Sequence, residues 1–433
     1  MDPSPPLLGA LPKVALHDHL DGGLRAATVI ELSREQGLDV PGLGPDAEGA
    51  THAAAESSTA PAGADETRAV ADWFRSTADS GSLPAYLSTF EHTVALMQSA
   101  PHLRRIAREF VEDMVADGVV YAETRWAPHQ HTDGGLTLDE AVQAVQDGMD
   151  EGVAAAAESG RRIVVGQLLC YLRHLDPTDD LVEIALARRD SGVLGLDLAG
   201  PEAGFPASWF RAQFERAREL GLRVTIHAGE ADGPASIADA LDCGAERIGH
   251  GVRLVEDIDL ALAEPAEGSR TAGSSVGGTA EGTAEGTTVG AAESDGAAGL
   301  GRVAARVLRD QICLEVCPSS NLQTGVADVV AAHPVGPLHR LGFALAISSD
   351  NRLMSRTGTT REMLLAAQAF DWTLEDLERM VLTGLEAGFA PAAQREALRD
   401  EVVVPAFHAI RVADQAQAEH PAPASDAEET LEG

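Results

Sequence analysis

Aromatic residues make up only 4% of this 433-residue chain, and cysteine occurs four times with no CxxC pair. So few cysteines exclude a disulfide scaffold and predict reduced thiols in a cytoplasmic setting; Cys313 and Cys317, on a predicted strand, read as core residues. Basic residues are scarce too: 32 Lys and Arg stand against 68 Asp and Glu, a formal net charge of -36. A surface that acidic repels polyanions, so neither nucleic acid nor an anionic membrane is expected as a partner. Solubility at high ionic strength is the simplest reason for it. No run is long and apolar enough to span a bilayer, and MDPSPPLLGALPK lacks a basic leader before an apolar stretch. A soluble cytoplasmic protein is the expectation.

What is present is regular. Hydrophobic content is 44%, with abundant Ala and Gly, and strand-like and helix-like segments alternate as in a parallel sheet with crossover helices. Strands begin near residues 14, 119, 162, 193, 222, 247, 312 and 343, with strand 6 read as 247–254 and strand 7 as 312–321. Eight such units predict an α/β TIM (β/α)8 barrel with additional helices over 360–370, 373–387 and 392–416. Two low-complexity stretches, 41–68 and 265–299, read as insertions that cannot build a core, and 421–433 as a frayed tail. The chain is expected to be a single catalytic barrel, ordered over 11–416. In 83–97, Leu83, Tyr86, Leu87, Phe90, Val94 and Met97 recur at helical spacing, which by itself predicts an ordinary core-facing helix.

A barrel carries its reactive groups at the C-terminal strand ends, and these ends are unusually polar. Strand 1 ends in His17-Asp18-His19, strand 4 in Asp197-Leu198-Ala199-Gly200, strand 5 in His227-Ala228-Gly229-Glu230; strand 6 carries Gly249-His250-Gly251, and strand 8 ends in Ser348-Ser349-Asp350-Asn351. Spacing of two along a strand turns His17 and His19 to one face. Together with His227 and Asp350 they offer three nitrogens and one oxygen around one mouth, a donor set suited to a single catalytic zinc. Zinc would make bound water a nucleophile near neutral pH. His250 is placed to orient it, and Glu230, kept protonated by an apolar pocket, to protonate a leaving group. Taken singly, His227 could be a hydrogen-bonded core histidine, His250 a turn residue, Asp350 a helix cap and Glu230 a surface carboxylate. Their coincidence at one end of separate strands favours chemistry.

LPKVALHDHLDGG, SLPAYLSTF, DLAGPE, HAGE, RIGHGV, CPSSNLQTG and SSDN together resemble the adenosine deaminase family of metal-dependent amidohydrolases, from about Leu11 to the helices after Asn351. The resemblance implies one Zn2+ on His17, His19, His227 and Asp350, proton donation from Glu230 to purine N1, and attack at C6 guided by His250. It further implies that the Gly200 N–H meets N3, that Asp21, with His19, touches the ribose 5′-hydroxyl, and that Leu83, Tyr86, Leu87 and Phe90 form an apolar lid rather than plain core. Many relatives carry a second aspartate where this chain has Asn351, and an acidic residue where it has Pro201. An amide can donate to purine N7 while an ionised carboxylate cannot, so activity should survive with an altered pH profile or substrate range.

The expected activity is hydrolysis of adenosine, and 2′-deoxyadenosine, to the inosine product and ammonia by a monomer or homodimer. Other 6-aminopurine substrates, such as aminodeoxyfutalosine or adenine, are the alternative. The lack of a Lys/Arg cluster near the motifs weighs against a phosphorylated substrate. An amidase or phosphotriesterase would have less use for Glu230, a cytidine-type deaminase needs a PCxxC pair that is missing, and a non-catalytic zinc protein would need neither Glu230 nor His250.

Overall fold

The computed structural model describes residues 4–44, 61–263 and 298–419. Its sheet has eight parallel strands in sequential order: β1 (Lys13–His19), β2 (Val119–Trp126), β3 (Val164–Leu172), β4 (Val193–Ala199), β5 (Arg223–Ala228), β6 (Arg247–His250), β7 (Cys313–Val316) and β8 (Leu345–Ile347). Past the end of β8, the Asp350 N–H donates to His17 O and the His19 N–H to Asp350 O, each over 2.8 Å. Those two bonds close the barrel at its C-terminal mouth, where the polar strand ends meet. Crossover helices cover the outside through apolar stripes such as Val142, Val145 and Met149 of the helix Leu138–Glu158.

The interior of the barrel is charged. Arg125 of β2 bonds Asp197 of β4 at 3.0 Å and Glu315 of β7 at 2.6 Å, while Arg247 of β6 bonds Glu123 of β2 at 2.5 Å and Glu315 at 2.6 Å. Arg247 and Glu315 sit on adjacent strands, but the other three pairs join strands that are not neighbours in the sheet and so cross the barrel's inside; all five side chains are 0–1% exposed. Buried ions tolerate this only when paired and fully hydrogen-bonded; Tyr121 and Thr225 hydroxyls supply further donors to Glu123 and Glu315.

Four boundaries differ from the sequence expectation. The stretch 41–68 is not insertion throughout: a helix, Ala64–Ala78, starts inside it, with Glu66 accepting from the Gly63 N–H and Val70, Phe74 and Ala78 buried at spacings of four. Its polar first turn blends into the acidic stretch before it; residues 45–60, most of 265–299 and the tail 421–433 lie outside the described residues. β6 stops at His250, where a left-handed Gly251 turns the chain into a short 3-10 segment. β7 stops at Val316, because Pro318 lacks the N–H a ladder needs and opens the helix Pro318–Gln323. The 83–97 helix is two pieces, Leu83–Leu87 and Phe90–Leu96, broken where the Ser88 and Thr89 hydroxyls bond the carbonyls of Ala85 and Tyr86.

Because Arg247 neutralises two buried carboxylates at once, Arg247→Met should destabilise the fold by about 3–5 kcal/mol. Urea denaturation of the two proteins checks this; an unchanged midpoint would mean that the lattice contributes little.

Candidate active site

β1 delivers His17 and His19 to the mouth, β5 His227, β6 His250, and the turn after β8 Asp350. Asp350 and His250 are two of the few non-glycine residues with positive φ, at 60° and 62°. That uncommon backbone, held at Asp350 by the barrel-closing bonds and at His250 by the pairing of β6 with β5, aims both side chains inward. Gly249 is needed between them and the imidazoles: a Cβ there would sit 3.0 Å from His17 Cε1 and 3.1 Å from His227 Cα.

The buried lattice reaches directly into this cluster. His17 Nδ1 donates to Glu315 Oε2 over 2.9 Å and His227 Nδ1 to Asp197 Oδ1 over 3.2 Å. Burial, then the Arg125 charge, holds His17 well below the ordinary histidine range, so its ring is neutral. Burial pushes the Asp197 carboxyl up, but His227 and Arg125 outweigh it and hold the group well below the usual range. A neutral ring that donates from Nδ1 keeps a lone pair on Nε2. His17 Nε2 is buried without a hydrogen-bond partner, and His227 Nε2 lies 3.1 Å from His19 Nε2. Asp350 Oδ1 lies 3.6 Å from His17 Nε2 and 3.4 Å from His19 Nε2. Burial pushes the Asp350 carboxyl up to about 6, a cost that a dication beside it would remove. Lone pairs converging at these separations, with a carboxylate, fit one cation of the zinc type. Nitrogens of His17, His227 and His250 also fall within 4.8 Å of one another, as do donor atoms of His17, Cys317 and Asp350. Cys317 is the poorer donor, since burial pushes its thiol well above the ordinary range.

Glu230 stands opposite. Burial, reinforced by Asp350 and Glu202, raises its carboxyl well above the usual range, which favours the protonated form. The Thr324 hydroxyl donates to its Oε1 at 3.0 Å, and its Oε2 lies 3.6 Å from His250 Nε2. The loop carrying Glu230 is pinned by Glu202, whose carboxylate accepts from the backbone N–H groups of Gly229, Glu230, Ala231 and Asp232 at 2.5–3.0 Å and from the Ser236 hydroxyl at 2.6 Å.

His19, His227, Glu230, His250 and Asp350 line a cavity of about 470 Å³. Leu83, Tyr86, Leu87 and Phe90 line one wall, so the two short helices face the cavity as well as the core. Gly200 borders it with φ of 94°, a conformation that suits glycine. Asp21 is 3% exposed, and its Oδ1, 3.9 Å from His19 Nδ1, has no hydrogen-bond partner within the protein. Asn351 also lines the cavity, but its NH2 donates to Asp350 Oδ1 over 2.7 Å and its own Oδ1 is left without a partner. Gln130, His174 and Glu91 also line it, and among the described residues no Lys or Arg borders the cavity.

A closed parallel barrel with histidines, an aspartate and a protonated glutamate at its mouth defines a metal-dependent amidohydrolase. The adenosine deaminase family model matches residues 51–405. The chain is 42% identical over 411 residues to adenosine deaminase 1 of Streptomyces coelicolor, covering 94% of this chain and 90% of the relative. It is 42% identical over 397 residues to the adenosine deaminase of Mycobacteroides abscessus, covering 92% and 95%. The chain therefore belongs to the adenosine deaminase family and is a hydrolytic deaminase. Its fold is shared with an adenine deaminase from Arthrobacter aurescens, at TM-score 0.68, 21% identity and 93% and 99% coverage. A zinc-bound amidohydrolase from B. ambifaria gives TM-score 0.71, 22% identity and 96% coverage of each chain.

Sequence reasoning did not single out Glu315, Arg125, Asp197 or Glu202 as parts of the site. Asp197 and Glu202 open and close DLAGPE and had a motif to flag them; Arg125 and Glu315 lie within strands. Replacing Glu202 by Gln would turn an NH2 toward backbone donors and break charge-assisted bonds, at a cost of about 1.5–3 kcal/mol. We expect Glu202→Gln to lower the denaturation midpoint accordingly and to lower kcat more than it changes KM. Wild-type kcat would contradict the role in holding Glu230.

Proposed function

We propose that this enzyme hydrolyses adenosine and 2′-deoxyadenosine to the inosine products and ammonia, using one zinc ion held by His17, His19, His227 and Asp350. The observation that carries the reading is the buried Glu230 carboxyl, raised well above the usual carboxylate range, at the rim of a gap toward which His17 and His227 turn their Nε2 atoms while Nδ1 of each meets a carboxylate. When bound, zinc supplies the Lewis acidity that makes water a nucleophile near neutral pH.

The chain's own groups do the rest. Glu230 gives its proton to purine N1 as the water oxygen bonds to C6, which removes the negative charge that would otherwise build on the ring. His250 orients the attacking oxygen. C6 is then tetrahedral; of the two hydrogens the attacking water brings, one ends on the amino group and the other restores Glu230, so that C6=O forms as the C6–N bond breaks and ammonia leaves. The Gly200 N–H reaches N3, and the apolar wall of Leu83, Tyr86, Leu87 and Phe90 covers the ring and excludes water.

Specificity follows from what lines the cavity. The unpartnered Asp21 oxygen suits a ribose hydroxyl, which favours a nucleoside over free adenine. With Glu91 at the rim and no Lys or Arg among the described residues that line the cavity, a phosphate would lack partners there and meet like charge, so a nucleotide is disfavoured. Asn351 can turn its NH2 to N7 once Asp350 is engaged elsewhere.

Two tests apply. Ranking adenosine, adenine and AMP by kcat/KM should place adenosine at least about tenfold ahead of each, the worth of one polar contact; AMP in first place would sink the specificity argument. Glu230→Gln should abolish ammonia release while one zinc per chain stays bound by elemental analysis. Near-wild-type turnover in that variant would remove Glu230 from the proton-donor role.

A further inference from the structure

We propose that the backbone N–H of Val335 fixes the ring tautomer of His250 through His333 and Asn321, so that His250 turns a hydrogen-bond donor, never a lone pair, to the reaction cavity. The inference deepens the reading of His250 as the group that orients the nucleophile, and it rests on that reading for its catalytic consequence.

The four groups form one line. The Val335 N–H donates to His333 Nδ1 over 3.1 Å, His333 Nε2 lies 3.2 Å from Asn321 Oδ1, and Asn321 Nδ2 lies 3.1 Å from His250 Nδ1. All four residues are 0–1% exposed, which leaves no room for bulk water to reverse a bond.

The direction of every bond follows from the first. Val335 opens the helix Val335–Arg340, so its N–H has no acceptor inside that helix and can only donate outward. His333 Nδ1 must therefore present a lone pair. Burial pushes the His333 ring down to about 4, so the ring is neutral and its one hydrogen sits on Nε2. That hydrogen needs an acceptor, which sets the carbonyl end of the Asn321 amide toward His333 and the NH2 end toward His250. The NH2 in turn requires a lone pair on His250 Nδ1, and the neutral ring keeps its hydrogen on Nε2, the atom 3.6 Å from Glu230 Oε2. A backbone donor three groups away thus settles the polarity of a side chain in the cavity.

The chemistry depends on this. A lone pair on His250 Nε2 could compete as a further ligand beside His17 and His227, whose nitrogens lie within 4.8 Å. A hydrogen there instead binds the attacking oxygen through one of its lone pairs and leaves another for C6. Asn321 and His333 are positioning residues in this scheme, since neither borders the cavity.

The experiment is long-range proton–nitrogen correlation on full-length, zinc-loaded, deuterated protein with 15N-labelled histidine, His250 being assigned by the signals lost in His250→Asn. An unprotonated ring nitrogen resonates well downfield of a protonated one, so the spectrum reads the tautomer directly. The wild type should show His250 and His333 both protonated at Nε2. In Asn321→Asp the carboxylate can only accept, so the His250 hydrogen should move to Nδ1, with kcat down by about 100-fold and KM within about twofold. His333→Gln, whose amide can still donate to Asn321, should keep the Nε2–H signal and most of kcat, whereas His333→Leu should give mixed tautomers. A wild-type His250 protonated at Nδ1, or an Asn321→Asp protein with the wild-type tautomer and kcat, would overturn the proposal. The spectra report whether or not adenosine is turned over, so failure of the functional reading and failure of the relay are told apart.

Discussion

The structure depends on the carboxylates of Glu315 and Asp197, buried inside the barrel and shared between arginines and histidines. Each accepts from Arg125 on one side and from an imidazole Nδ1 on the other. At Asp197 the charges of His227 and Arg125 outweigh the burial that would otherwise protonate the group, and at both sites the carboxylate takes the imidazole hydrogen that would otherwise face the mouth. Without the arginine the buried carboxylates would lose a charge partner; without the carboxylates the histidine lone pairs would have no fixed direction. Stability and site preparation therefore come from the same ion pairs, and this explains why a barrel core carries so much charge.

Hydrogen-bond direction is the common device across the mouth. Glu315 and Asp197 make lone pairs of two Nε2 atoms, whereas Asn321 makes a donor of the Nε2 of His250. Neighbouring histidines of one residue type thereby receive opposite polarities. Glu202 applies a similar constraint to backbone: four N–H groups converge on its carboxylate and set the loop from which Glu230 projects.

Much of this was legible in the chain. His17-x-His19, His227 with Glu230, His250 between glycines and Asp350 all fall at strand ends, and a closed barrel brings strand ends together whatever separates them in sequence. The supporting groups were not legible, for a physical reason. Arg125, Glu315 and Asn321 act through partners on other strands and helices, 190 residues away for Arg125 and Glu315, so no local pattern carries their role. The helix Ala64–Ala78 was hidden because its acidic first turn continues the composition of the stretch before it, although Val70, Phe74 and Ala78 gave the spacing. Strand 7 was drawn too long because the alternation of ICLEVCPSS runs on past Pro318, where backbone chemistry ends the ladder.

If the carboxylates orient the ligands, metal affinity must register their loss. Zinc titration of the metal-free enzyme against a competing chelator, with Asp197→Asn beside the wild type, tests this most directly. The account predicts one zinc per chain in both and a 10–100-fold weaker affinity in the variant, roughly the cost of losing a partner behind a metal-binding histidine. Equal affinities in two folded proteins would contradict it.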